Sequence, residues 1–149
     1  MKKLVIFLSF FLILAVPALA RNATPSAKRE EARIQIAEHI NQQLEKIQNQ
    51  AVKHFNNVLE KMSQLLAKIK TRVPATDITA AQAAITAAQT AVADLTDNVY
   101  TIEFTAESGL RVGASAAKTK LRSDIKAVHE KVRLARQAVV NTLQEAKKI

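Results

Sequence analysis

Metal ligation by side chains in this chain would fall to three histidines and thirteen carboxylates, because it contains no cysteine, and the same groups are the first candidates for acid–base chemistry. His39, His54 and His129 have no second histidine or carboxylate at the spacing of a zinc motif such as H-E-x-x-H. His129, beside Glu130, reads as a surface residue, and His54, beside Phe55, as the flank of a helix interface. Glu31, Glu38 and Glu45 recur every seven residues, which sets them along one helix face. Carboxylates so arranged act as acid and base, or hold metal in a helical bundle when further helices add a Glu-x-x-His unit. That unit is missing, so the three read as a solvated stripe able to pair with lysines of a neighbouring helix. There is no Gly-rich phosphate loop and no nucleophile elbow. The sequence points to a protein that is not an enzyme and takes no cofactor and no metal.

The stronger signal is positive charge. Lys118, Arg122 and Lys126 are four residues apart and form one stripe on a helix, with Arg133 and Arg136 continuing it. Such a stripe suits an anionic polymer, anionic lipid head groups or an acidic protein, and equally keeps an alanine-rich surface soluble. Asp124 and Glu130 interrupt it in the sequence. Nucleic-acid binding would also ask for exposed stacking aromatics. Phe55, Tyr100 and Phe104 all fall on expected core positions, so intracellular nucleic acid is a poor candidate partner.

Three helical patterns position these residues. The first runs from Ala27 to about Thr71, with Ala37, Ile40, Leu44, Ile47, Ala51, Phe55, Val58, Met62, Leu65 and Ile69 at steps of three and four. Val73-Pro74-Ala75 ends it, and Thr76 and Asp77 offer capping oxygens to the second helix. Ile78, Ala81, Ile85, Ala88, Val92, Leu95 and Val99 then form a heptad seam with small residues at alternate positions. Its internal repeat, Thr79 to Ile85 followed by Thr86 to Val92, reads as packing rather than as a binding code.

From Val99 to Thr105 the period changes to two, with Tyr100, Ile102 and Phe104 alternating against more polar positions. A lone strand has no partner, so the expectation is an extended strap whose large side chains insert between helices. Thr105 is placed to cap a third helix carrying Leu110, Ala114, Ala117, Leu121, Ile125, Val128, Val132, Ala135, Val139 and Leu143, ending near Lys147. Gly109 and Gly113 leave its start open between Thr105 and a point beyond Ser115. By length, helix one would span ~65 Å and helix two ~33 Å; a strap of ~23 Å makes up most of the difference. The fold class expected is all-α, an elongated up-down-up three-helix bundle with an extended strap between helices two and three.

Composition agrees: two glycines and three prolines occur in 149 residues, and aromatics are scarce. Residues 1–20 have the zones of a cleavable signal peptide, with Lys2 and Lys3, an apolar run from Leu4 to Val16, Pro17, and Ala18-Leu19-Ala20 at the cleavage site. The run is shorter than the ~20 residues that span a bilayer. Residues 21–27 read as a flexible linker and 28–149 as a single helical bundle domain. After Ala20 the chain carries net +7, divided unevenly. Residues 21–73 are +5, residues 74–105 hold no Lys or Arg and are −4, and residues 106–149 are +6.

The signal peptide, the alanine-rich second leg and the Val99-Tyr100-Thr101-Ile102-Glu103-Phe104 strap before a basic helix resemble uncharacterised small exported helical proteins of bacteria. The resemblance implies this architecture and a cell-envelope setting, periplasmic or extracellular, and transfers no activity and no site residues. The functional expectation is an exported, noncatalytic structural or protein-interaction module whose basic helix faces bind an envelope protein, an anionic polymer or a second copy. The alternative is a binder of anionic membrane surfaces through an amphipathic helix such as Ile34 to Ile69.

Overall fold

The computed structural model describes residues 25–102 and 109–148. Three helices, α1 (Pro25–Arg72), α2 (Thr79–Asp97) and α3 (Leu110–Ala146), each pack against the other two. No strand occurs among the described residues. The expected leader, Phe104 and the Thr105 cap lie outside them.

Proline is well suited to the first turn of a helix, where its missing N–H has no partner to lose and its φ is preset. Accordingly α1 begins at Pro25, and residues 25–27 of the expected linker are helical. Ser26, a residue type suited to capping the first helix from just ahead of it, lies inside the helix instead. α1 ends at Arg72, just before Val73-Pro74 as expected. Lys70 Nζ closes the reversal by donating to the carbonyls of Pro74 (2.7 Å) and Thr76 (3.2 Å). Asp77 Oδ1 accepts from the Thr79 N–H at 2.9 Å and starts α2. That bond is the first cause holding the Asp77 carboxyl below its ordinary value. Thr76 does not share the capping role, since its Oγ1 is buried with no hydrogen-bond partner.

The expected seam of α2 holds through Leu95: Ala81, Ile85, Ala88, Val92 and Leu95 are buried. Alanines on this seam let the neighbouring helices approach closely, and Ile85 and Leu95 join Leu59, Leu66 and Leu121 as almost fully buried side chains. Each large aliphatic is worth ~1.5–3 kcal/mol over its exposed state, which is where a core poor in aromatics finds its stability. Val99 is the exception, 71% exposed, because α2 stops at Asp97 and Asn98 is extended at φ −71, ψ 134.

α1 departs further from expectation. Ile47 and Leu65 are exposed, while Gln48, Leu59 and Leu66 are buried. The inward line is Ala37, Leu44, Gln48, Phe55, Leu59, Met62, Leu66 and Ile69. Leu65-Leu66 offers two apolar choices one residue apart, and the pattern alone does not choose between them. Gln48 does choose, because its amide is needed inside.

Gln48 Nε2 lies 2.6 Å from the Leu95 carbonyl, 3.2 Å from that of Thr96 and 2.9 Å from that of Asn98. These belong to the last turn of α2 and the residue after it, where helical carbonyls lack intrahelical partners. Two N–H bonds are thus shared among three acceptors. Beyond that point the chain is non-helical, yet Tyr100 and Ile102 are buried. The Ile102 N–H donates to Asn41 Oδ1 at 2.8 Å.

α3 begins between the two starts the sequence allowed, with Gly109 just outside and Gly113 inside. A Cβ on Gly113 would lie 3.0 Å from Ile102 Cγ2. The glycine, unfavourable in a helix interior by ~1 kcal/mol, makes room for Ile102. Leu121, Val128, Val132, Ala135 and Val139 are buried as expected. Thr142 takes the buried place beside half-buried Leu143, its hydroxyl donating to the Ala138 carbonyl at 3.0 Å.

Replacing Gln48 by Met keeps the length of the side chain and removes the donor. The expected cost is ~1–3 kcal/mol, the desolvation penalty of carbonyls left unpaired, read as a lower denaturant midpoint. An unchanged midpoint would show that water satisfies those carbonyls equally well.

Candidate functional site: the basic face

The rotation of each helix decides where its charges point. On α3, Asp124, Ala127, Val128 and Lys131 border a shallow pocket with Ala91, Asp94, Leu95 and Asn98, so that arc faces α2. At ~100° per residue, Lys118, Arg122 and Arg136 then lie on the arc nearest α1, with Lys126 and Arg133 slightly further out. All five are exposed. They occupy one arc about 80° wide, together with Arg111 and His129, also exposed, which the sequence reading left out of the stripe. The signal for those two was present in the spacing: 111, 118, 122, 129, 133 and 136 follow steps of seven, four and three.

The acids that interrupt the stripe in the sequence interrupt it less in space. Asp124 faces α2, where its Oδ2 accepts from the Tyr100 hydroxyl at 2.7 Å. Glu130 stands at the outer edge and accepts from Arg133 Nε at 2.8 Å, both side chains remaining about half exposed or more. That hydrogen bond is the first cause holding the Glu130 carboxyl below its ordinary range. Arg133 is therefore partly neutralised, and the field of the face rests mainly on Arg111, Lys118, Arg122, Lys126 and Arg136.

α1 is polarised in the same sense. Asn41, Glu45, Gln48 and Asn49 line a cleft with Thr96, Asn98 and Tyr100, which identifies the side of α1 turned to the end of α2. By helical rotation Glu30, Glu31, Glu38, Glu45 and Glu60 all fall on that half. Arg29, Arg33, Lys61, Lys68 and Arg72, all exposed, fall on the half turned to α3, while Lys53 and Lys70 share the half of the glutamates. α2 itself carries Asp94 and Asp97 and no cation. Acid thus gathers around α2, and the flanks of the α1/α3 groove hold no carboxylate among the described residues.

Exposed guanidinium and ammonium groups in such an array can bind carboxylate, phosphate or sulfate oxygens. The histidines do not join into a site. His39 Nε2 is 2.8 Å from Gln43 Nε2, the His54 ring lies 5.8 Å from that of Phe55, and no group of three or more His, Asp or Glu side chains converges among the described residues. The exposed side of the α2 repeat, with Thr79, Gln82, Ala83, Thr86, Ala87 and Thr90, is a shallow surface. Thr86 and Thr90 turn their hydroxyls back onto the carbonyls of Gln82 and Thr86, four residues earlier in each case. No described helix is long and apolar enough to cross a membrane.

No family model, curated protein or solved structure matches the chain.

Tyr100 helps hold α3 in this rotation, through Asp124 and through Lys120, whose Nζ lies 5.7 Å from the ring centroid. Burial first, and the Asp124 carboxylate second, push the Tyr100 phenol up to about 12. The folded state favours the neutral phenol, so the stabilisation is complete below the ordinary value of 10.0 and is lost as pH rises from there through about 12. Tyr100 is the chain's single tyrosine, which makes tyrosinate absorbance a direct probe. Its titration midpoint is expected well above 10 and lower in Asp124→Asn. A wild-type midpoint at the ordinary value would show a solvated ring and no pin.

Proposed function

We propose that this chain is an exported, noncatalytic interaction module of the bacterial cell envelope that binds an anionic partner on the basic face of α1 and α3. The observation that carries the reading is the sorting of charge by helix face. Carboxylates gather around α2, while Lys118, Arg122, Lys126, Arg133 and Arg136 share one exposed arc beside α1. A surface serving solubility alone is met by interspersed signs, and a single-sign field is what recognition of an opposite charge requires.

We further propose an up-down-up order with residues 98–102 as part of a strap. Gln48 of α1 meets the C-terminal end of α2, while Lys70 of α1 holds the turn leading into α2, which supports antiparallel α1 and α2. Burial of Tyr100 and Ile102 and their bonds to Asp124 and Asn41 support a strap that carries the chain to the start of α3.

Export rests on Lys2, Lys3, the apolar run from Leu4 to Val16, and Ala18-Leu19-Ala20. N-terminal sequencing of the protein recovered from the host envelope or medium is expected to begin near Arg21; a retained Met1 would reject cleavage.

Binding is tested by titrating heparin and polyglutamate into wild type and a Lys118→Glu, Arg122→Glu, Lys126→Glu variant. The wild type should bind, and more weakly as the screening length falls from ~10 Å at 0.1 M salt to ~3 Å at 1 M. The variant should lose binding while keeping its helicity and thermal midpoint. Absence of wild-type binding to both polyanions, or equal binding by both proteins, would refute the reading.

A further inference from the structure

The α1 wall of the basic face carries an apolar row that nothing in the described chain covers. Ile36, Ile47 and Leu65 are 50, 48 and 41% exposed. Scattered apolar residues on a surface are ordinary; these three are set apart by sharing one line. They are eleven and eighteen residues apart, close to whole numbers of helical turns. Half-buried Ile40 and Val58 fall on the inner edge of the same line, toward the groove between α1 and α3. From Ile36 to Leu65 the row is ~44 Å long at 1.5 Å per residue. The opposite wall adds half-buried Ile125 and exposed Val140, the latter at 38%. On α1, Lys61 and Lys68 stand outside the row and Arg29 and Arg72 continue it at its two ends; on α3, Lys118, Arg122 and Arg136 share the wall with Ile125 and Val140, and no carboxylate among the described residues falls on either wall.

A long groove between two packed helices, with large aliphatics along one line and the exposed His54 ring among them, is a surface into which a third helix can set its ridges. Rims of one sign select the opposite sign at the flanking positions of that helix. A bilayer fits less well. The half-buried floor residues are recessed from a planar surface, and interfacial aromatic anchors are lacking among the described residues, since the chain has no Trp and Phe55 and Tyr100 are buried. We propose that the α1/α3 groove seats an acidic amphipathic helix of a partner protein, with its apolar seam on Ile36, Ile47 and Leu65 and its carboxylates on the cationic rims. The proposal rests on the reading of this face as anion-binding and adds the apolar contact.

Three probes test it on the purified protein: a helical peptide of about four heptads with Leu at a and d and Glu at e and g, unstructured polyglutamate, and vesicles of an anionic phospholipid. The variant is Ile47→Ser with Leu65→Ser; both side chains are about half exposed, so the core keeps its packing. The wild type should bind the peptide, and the variant should bind it roughly tenfold more weakly or worse, from the lost burial of two aliphatic side chains. Polyglutamate binding should stay unchanged. Val140→Ser, on the opposite wall, provides a second variant with a smaller loss in the same direction. Equal peptide binding by wild type and both variants overturns the groove while leaving the basic face standing. So does wild-type binding to polyglutamate but not to the peptide. Failure of the wild type to bind either would remove the anion-binding reading itself. Loss of vesicle binding, or of self-association, in the serine variant with no peptide bound by the wild type would assign the row to lipid or to a second copy, and overturns the partner helix.

Discussion

The amide of Gln48 is the contact on which the arrangement of α1 depends. Its N–H bonds reach the carbonyls at the end of α2, and a polar group can be buried among aliphatics only where its hydrogen bonds are satisfied. Turning residue 48 inward rotates Ile47 outward by ~100°. The same phase, carried along a straight helix, brings Leu66 in and leaves Leu65 out, since the two pairs are eighteen residues apart, or five turns. One buried amide therefore ties together the end of α2, the rotation of a 48-residue helix and an exposed aliphatic row beside the basic face.

Much of the fold was legible because its elements are long and strongly periodic. The three helices, the break at Val73-Pro74 and the α2 seam from Ala81 to Leu95 follow from period and breakers alone. The α1 seam was not legible at Gln48, because a hydrophobic pattern assigns polar residues to the surface and carries no information about which amide will meet a helix end. Nor was the start of α3, where an interior glycine reads as weak helix until Ile102 is found against it. Val99 was misassigned for a related reason: its spacing continues the heptad, but the chain has already left the helix at Asn98.

The candidate site was legible in part. Spacing alone put Lys118, Arg122 and Lys126 together, and the helix adds Arg111 and His129 to the same arc. What the linear sequence could not convey was the fate of the acids. Asp124 breaks the run of cations in the sequence but points to α2, where it holds Tyr100. The glutamates of α1 become informative only once the side facing α2 is known, for then all five fall on it.

The cost of the stripe bears on its purpose. Like charges four residues apart on a helix, as at Lys118, Arg122 and Lys126, are each destabilising by ~0.2–0.5 kcal/mol. Exposed pairs such as Arg133–Glu130 return ~0–1 kcal/mol at most. Exchanging a few of these cations for acids would ease the repulsion and leave a well-solvated surface. Folding stability therefore supplies no reason for an acid-poor arc on α3, and still less for a row of aliphatics beside it, since exposed Ile36, Ile47 and Leu65 contribute little burial to the fold. Charge of one sign next to exposed apolar surface is costly for an isolated bundle, and both costs would be relieved by the one partner proposed above, a helix that brings carboxylates and an apolar face together.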